Sequence, residues 1–162
     1  MGERTSSANA EGIFEPFSKN EVPAEAFTHG KYSSTFRVLS KFGGGSHVGF
    51  VFEELPPGAQ SNQPHYHLLE EEHVYVLEGS LTLLLGEKRY AMQPGDYVCF
   101  PAGQKAGHAL LNTGDKPCRY ILVGENNPND VTFFPLTGRV GVRLMGEGYR
   151  KSSVMDYWEG SE

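Results

Sequence analysis

Two histidines with one residue between them, His65 and His67, followed by the acidic run Glu70 to Glu72, most constrain what this chain can become. On a β-strand, residues two apart point to the same face, so both imidazoles project together. Glu72 lies five positions beyond His67, an odd spacing that would place it on the opposite face of an unbroken strand. The chain is therefore expected to bend or bulge between Leu68 and Glu71, with Glu72 opening a new strand through Val-Tyr-Val-Leu. Two imidazoles and a carboxylate converging from adjacent strands suit a divalent metal such as Fe, Mn, Ni or Zn. A second stretch, Gly95 to Asn112, contributes another candidate ligand, His108.

These two stretches resemble the paired motifs of the cupin superfamily. Gly58, His65, His67, Glu72 and Gly79 follow the first motif with one extra residue after Gly58. Gly95, Pro101, Gly103, His108 and Asn112 follow the second, with four residues instead of two between Gly103 and His108. The resemblance covers roughly residues 45 to 125 and implies an all-β fold, a jelly-roll barrel of the double-stranded β-helix type. It also implies a metal held by His65, His67, Glu72 and His108. Glu70 and Glu71 compete for the carboxylate role, but only Glu72 leaves six residues before Gly79. Alternation puts Glu72 with Val74 and Val76, and puts His73 with Glu71, Tyr75 and Leu77 on the other side, so His73 is not expected to be a ligand.

The rest of the chain reads as short strands between turns. Candidate strands are Ser33–Ser40, His47–Leu55, the stretches around Leu81–Leu85 and Tyr97–Phe100, His108–Asn112 and Cys118–Gly124, then Val131–Phe134 and Gly138–Met145. Twenty glycines and ten prolines supply the turns, and no helical periodicity of useful length runs between residues 33 and 124. The expected organisation is an N-terminal extension over 1–32, disordered to about residue 12, a barrel over 33–124, and a C-terminal extension over 125–162. Ile13, Phe14, Phe17 and Phe27 suggest an arm laid on the body or on a second subunit. Tyr149, Tyr157 and Trp158 suggest a tail packed on the barrel or on a partner chain. With Tyr75 and Leu77 on an outward face, a homodimer is expected.

Composition excludes several function classes. A net charge of −6 without a dense Lys/Arg run disfavours nucleic acid and anionic membranes. The longest apolar run, Leu81 to Leu85, is far too short to span a bilayer, and the N-terminus lacks the apolar core of a signal peptide, so a cytoplasmic location is expected. The opening MGERTS matches a loose myristoylation pattern, read here as coincidence. Cys99 and Cys118 read as small buried apolar residues rather than a disulfide. His29 and His47 fit no ligand spacing and read as surface residues.

Single-domain bacterial cupins with so short a gap between motifs, as from Gly79 to Gly95, are similar to those assigned as sugar-phosphate isomerases. The resemblance thus implies a divalent metal acting as a Lewis acid on a small, possibly phosphorylated, sugar. Lys105, Arg139 and Arg143 are candidate phosphate contacts, the two arginines sharing one face of a strand with Gly141 between them. Asn112, four positions after His108, either lines the cavity or closes the strand. Two other classes use the same site: a non-haem iron dioxygenase, and a non-catalytic binding module for a small molecule such as a sugar. The sequence does not single out the general base; a metal-bound hydroxide or a non-ligand carboxylate could serve.

Overall fold

Alternating apolar and polar residues become strands nearly everywhere the sequence alternates. The computed structural model describes residues 4–161, so Met1 to Glu3, the start of the myristoylation pattern and of the segment expected to be disordered, lie outside the described residues, as does Glu162. The strands are β1 (Glu25–His29), β2 (Tyr32–Val38), β3 (Val48–Leu55), β4 (Tyr66–His67), β5 (Glu72–Glu78), β6 (Leu81–Leu85), β7 (Lys88–Met92), β8 (Tyr97–Phe100), β9 (His108–Leu111), β10 (Cys118–Glu125), β11 (Val131–Phe134), β12 (Arg139–Val142) and β13 (Glu147–Arg150). A single helical turn, α1 (Leu39–Phe42), follows β2 where the sequence reads as continuing strand.

A six-stranded antiparallel sheet runs β1-β2-β3-β10-β5-β8. It faces a three-stranded sheet, β7-β6-β9, and a four-stranded sheet, β13-β12-β11-β4, completes the layers. This is an all-β jelly-roll arrangement, as the motif pattern implies. The core lies between the large sheet and the β6–β9 sheet, where Leu55, Val74, Val76, Leu81, Cys118 and Tyr120 are all at most 1% exposed.

Register decides which side chains look inward. β10 pairs residue for residue with β3, from Cys118↔Leu55 to Glu125↔Val48, and on its other edge with β5, where Leu122 faces Val74 and Gly124 faces Glu72. A bulge between Arg119 and Tyr120 absorbs one residue of that second pairing. Glu72, Val74 and Val76 therefore share the inner face, while Tyr75 and Leu77 remain 46% and 42% exposed outside. Gly79, with φ of +78°, turns β5 into β6; a Cβ there would lie 2.9 Å from the Pro117 carbonyl oxygen. Both the left-handed backbone and the close approach require glycine.

The flanks differ in how they are held. Ser7 is fully buried and its N–H donates to the Phe42 carbonyl, Arg4 pairs with Glu21, and Phe17 packs on Phe42 with ring centroids 4.9 Å apart. The arm thus lies on its own chain. Beyond β13, Val154, Met155, Tyr157 and Trp158 are 62–86% exposed and do not pack on the body of the same chain. The expected strand Gly138–Met145 stops at Val142; Arg143 begins a one-turn 3-10 helix instead, so Arg139 and Arg143 do not share a strand face. Cys118 is buried as expected, whereas Cys99 is half-buried on the outer face, opposite His73 in the β5–β8 register. His29 and His47 are exposed.

Candidate metal centre

The bend that the His-to-Glu spacing demands is present between β4 and β5, and it brings the imidazoles and the carboxylate together. β4 carries His67, the residue before it carries His65, β5 opens with Glu72, and β9 opens with His108. His65 and His108 are joined by backbone hydrogen bonds in both directions, 3.1 and 2.8 Å, so the two rings start from neighbouring positions. Three Nε2 atoms then surround one oxygen: His108 at 2.9 Å, His67 at 3.4 Å and His65 at 4.0 Å from Glu72 Oε2. Exposure of the four side chains is 7–17%. Gly124 makes room for Glu72, because a Cβ at that position would stand 3.3 Å from Glu72 Cγ.

Each ring is held from behind. His65 Nδ1 is 2.8 Å from the Gln63 carbonyl oxygen, to which it donates. His67 Nδ1 is 2.6 Å from Asp130 Oδ2. The His108 ring stacks on Phe100 with centroids 3.8 Å apart and planes 2° apart. Asp130 is fully buried and also accepts hydrogen bonds from the Leu69 N–H and the Thr132 hydroxyl. It comes from the loop Glu125–Asp130, which composition reads only as a turn, so nothing in the sequence marks it as a support for His67.

The electrostatics suit ligands awaiting a cation. Burial opposes charge on Glu72, but the hydrogen bonds and positive charge of His108 and His67 outweigh it and hold its carboxyl well below the usual carboxylate range. Burial also opposes charge on His67, yet Glu72 and then Asp130 overcome it and push its pKa to about 9. His65 goes the other way, down to about 4, through burial and then repulsion from His108. The Nε2 faces and one carboxylate oxygen make a three-nitrogen, one-oxygen set of the kind that takes a first-row divalent metal. The residues present therefore fit a metal, and His65, His67, Glu72 and His108 could hold it.

Other acidic and sulfur groups nearby are engaged elsewhere. Glu70, 4% exposed, accepts both guanidinium nitrogens of Arg143 and the Asn127 N–H, so its charge is neutralised behind His67. Glu71, His73 and Cys99 form a separate group on the outer face, where His73 reaches Glu71 at 3.0 Å and the Tyr97 hydroxyl at 2.7 Å.

A cavity of about 400 Å³ opens beside the cluster, lined by His65, Glu72 and His108 on one side and mainly by apolar side chains elsewhere. Of the residues expected to meet substrate, none lines it. Asn112 is fully buried; its amide donates to the carbonyls of Leu55 and Lys116 and its oxygen accepts the Gly114 N–H, so it closes the turn after β9. Arg143 is bound to Glu70. Arg139 sits over the Phe134 ring at 3.9 Å, and Phe134 in turn stacks on His65. Lys105 is exposed in the loop before His108.

Fold and site together define a jelly-roll protein with a His/Glu metal-type centre at the wall of its cavity. The family model for the cupin domain matches residues 51–124, which hold all four candidate ligands, so this stretch of the chain is similar to a cupin domain. It is similar to a candidate sugar phosphate isomerase from Acidithiobacillus ferrooxidans, with 27% identity and a TM-score of 0.80 over 87% of this chain and 95% of that one. A sugar phosphate isomerase of the cupin superfamily from Silicibacter pomeroyi aligns over 90% of this chain and 98% of its own, at 26% identity and a TM-score of 0.77. The polyketide cyclase RemF of Streptomyces resistomycificus gives 25% identity and a TM-score of 0.57 over 68% of this chain and 78% of its own. In sequence, the tetracenomycin polyketide synthase protein TcmJ of Streptomyces glaucescens is 28% identical over 122 residues, 75% of this chain and 74% of that protein. Among the described residues, no helix is long and apolar enough to cross a membrane.

Proposed function

We propose that this protein is a metal-dependent enzyme of carbonyl–enol chemistry, an isomerase in the broad sense, acting on a small oxygenated substrate held in the cavity. The observation that carries this reading is the approach of three imidazole nitrogens to one Glu72 oxygen, within 4.0 Å, at the wall of a cavity of substrate size. A divalent metal on His65, His67, Glu72 and His108 would supply Lewis acidity toward a carbonyl and its neighbouring hydroxyl. The chain's own part is to orient and to exclude water. Phe100, Val74 and Leu110 wall the cavity with hydrocarbon, which strengthens every polar contact made inside it. Asp130 and the Gln63 carbonyl keep the histidine Nε2 faces turned inward.

The substrate class has two candidates. Aldose–ketose interconversion of a sugar phosphate is supported by the names of the two structures that overlap nearly the whole chain. In that case Lys105 and Arg139 would meet the phosphate outside the cavity, since Arg143 is neutralised by Glu70. Rearrangement of an aromatic polyketide-like compound is supported by the apolar lining and by the relatives TcmJ and RemF.

Anaerobic turnover beside an oxygen electrode tests the class. The expected result is isomerisation of a carbonyl substrate without oxygen uptake, lost on metal stripping and restored by more than one divalent ion. Oxygen consumption by iron-loaded protein, with no anaerobic conversion, would replace this reading with a dioxygenase. Inertness in both assays with tight ligand binding would replace it with a binding module.

A further inference from the structure

One wall of the cavity carries polar groups that the metal centre does not use. Glu53 lies in the middle of β3, 8% exposed, with Phe36 of β2 and Tyr120 of β10 as its cross-strand neighbours. Ser34, Glu53 and Tyr120 all line the cavity. Ser34 is 2% and Tyr120 0% exposed, and neither hydroxyl makes a hydrogen bond of good geometry, the Glu53 carboxyl being the polar group beside both. Both lie beside the Glu53 carboxyl and favour its charged form, but burial dominates and the Glu53 pKa is raised; the charge of Glu72 across the cavity pushes the same way.

Such groups are rare in a folded interior. Buried hydroxyls and carboxyls are nearly always paired, because leaving one unpaired forfeits its bonds to water. Here two such hydroxyls flank a buried carboxyl on the inner face of one sheet, where the core borders the cavity. Beyond the neighbouring Glu53 carboxyl, further pairing is open to what the cavity holds. The charge of that occupant is also constrained. Among the described residues lining the cavity there is no Lys or Arg, while Glu53 and Glu72 both face it. Away from the metal centre, an anion placed there would meet the Glu53 carboxyl and no Lys or Arg. Apart from Ser61 and Asn62, the remaining lining is ring-like and branched hydrocarbon, including Phe27, Phe36, Phe100 and Leu122.

We infer that Ser34, Glu53 and Tyr120 form a second polar subsite of this cavity, which hydrogen-bonds the hydroxyl or carbonyl groups of an uncharged, ring-bearing substrate whose other end reaches the metal centre. This rests on the carbonyl–enol reading and chooses between its two substrate classes. Glu53 and Tyr120 then act as specificity-determining residues, and Ser34 fills the corner between them. Neither side chain touches the His/Glu cluster through a hydrogen bond, so changing them leaves metal retention intact.

The test uses the full-length, metal-loaded chain, calorimetric titration with 2-naphthol, and 2-naphthyl phosphate as the same ring carrying charge. Wild type is expected to bind 2-naphthol and to bind the phosphate at least about tenfold more weakly. Tyr120→Phe and Glu53→Leu are each expected to weaken 2-naphthol binding about fivefold to tenfold, the effect of a lost hydrogen bond. Because binding sites are commonly held at the expense of stability, neither substitution should lower the Tm of the ligand-free protein, and Glu53→Leu should raise it by a few degrees. Tyr120→Phe removes a single oxygen and keeps the ring packing, so it remains informative if Glu53→Leu folds poorly. Unaltered 2-naphthol affinity in Tyr120→Phe, preference for the phosphate, or no 2-naphthol binding by wild type would each overturn the subsite. Metal content measured on the same samples separates the two levels: wild type without metal contradicts the underlying reading, whereas full metal with unaltered variant affinities contradicts only the subsite.

Discussion

Asp130 shows how much of this site rests on residues that are not ligands. Its 2.6 Å contact fixes which nitrogen of His67 faces Glu72, and its negative charge makes that imidazole more basic. Asp130→Ala is expected to weaken metal retention about 10–100-fold, as loss of such supporting groups typically does. Dialysis against a graded chelator, followed by metal analysis, checks this, and retention equal to wild type would show that His67 needs no support. The same pair gives a pH dependence with a definite sign. The metal-free His67 holds its proton up to about pH 9, so binding must expel it and retention falls as pH falls. The ligand-type residues were legible in sequence because His65, His67 and Glu72 lie within eight positions and their spacing alone demands a bend. Asp130 was not, since it sits 63 residues from its partner in a loop that composition describes only as a turn. Glu53 was equally hidden: in sequence it is one of two adjacent glutamates, and only register shows that it points inward while Glu54 pairs outside with Arg119.

At the scale of elements, alternation foretold most strands to within a residue or two, and failed where a tertiary constraint overrode it. β5 is the clearest success: Val74 and Val76 are buried and Tyr75 and Leu77 exposed, as the period of two requires. After β2, Leu39 to Phe42 instead make a helical turn that ends at Gly43 and buries Phe42 beneath Phe17. A four-residue turn has no periodicity to read. After β12 the strand ends because Arg143 turns back to pair with Glu70, a partner 73 residues away, and its N–H donates to the Asp130 carbonyl. Arg143 is thus tied to the loop that supports His67, not free for substrate. Asn112 likewise spends its whole amide on the turn between β9 and β10, which the spacing from His108 could not distinguish from a cavity-lining role.

At the scale of the whole molecule, the outward face and the C-terminal tail leave apolar groups uncovered. Tyr75, Leu77 and Tyr97 lie exposed on one edge region of the large sheet, and Tyr157 and Trp158 are 86% and 71% exposed. We propose a homodimer that covers part of this surface, since soluble monomers rarely expose large contiguous apolar patches. Sedimentation at micromolar concentration should give twice the chain mass of 17.9 kDa, and Leu77→Glu should shift the species toward monomer. A monomeric wild type would contradict this assembly. The metal centre itself is built within one chain, from β4, β5 and β9, so its occupancy is expected to be independent of association.

The central claim, a divalent metal on His65, His67, Glu72 and His108, is tested most directly by metal analysis of protein purified without added metal. About one ion per chain is expected in wild type and in His73→Ala, whose side chain belongs to the outer face. Each of His65→Ala, His67→Ala, Glu72→Ala and His108→Ala should retain markedly less. Wild type that binds no divalent ion at any tested concentration, or a His108→Ala protein that keeps its full complement, would contradict the account.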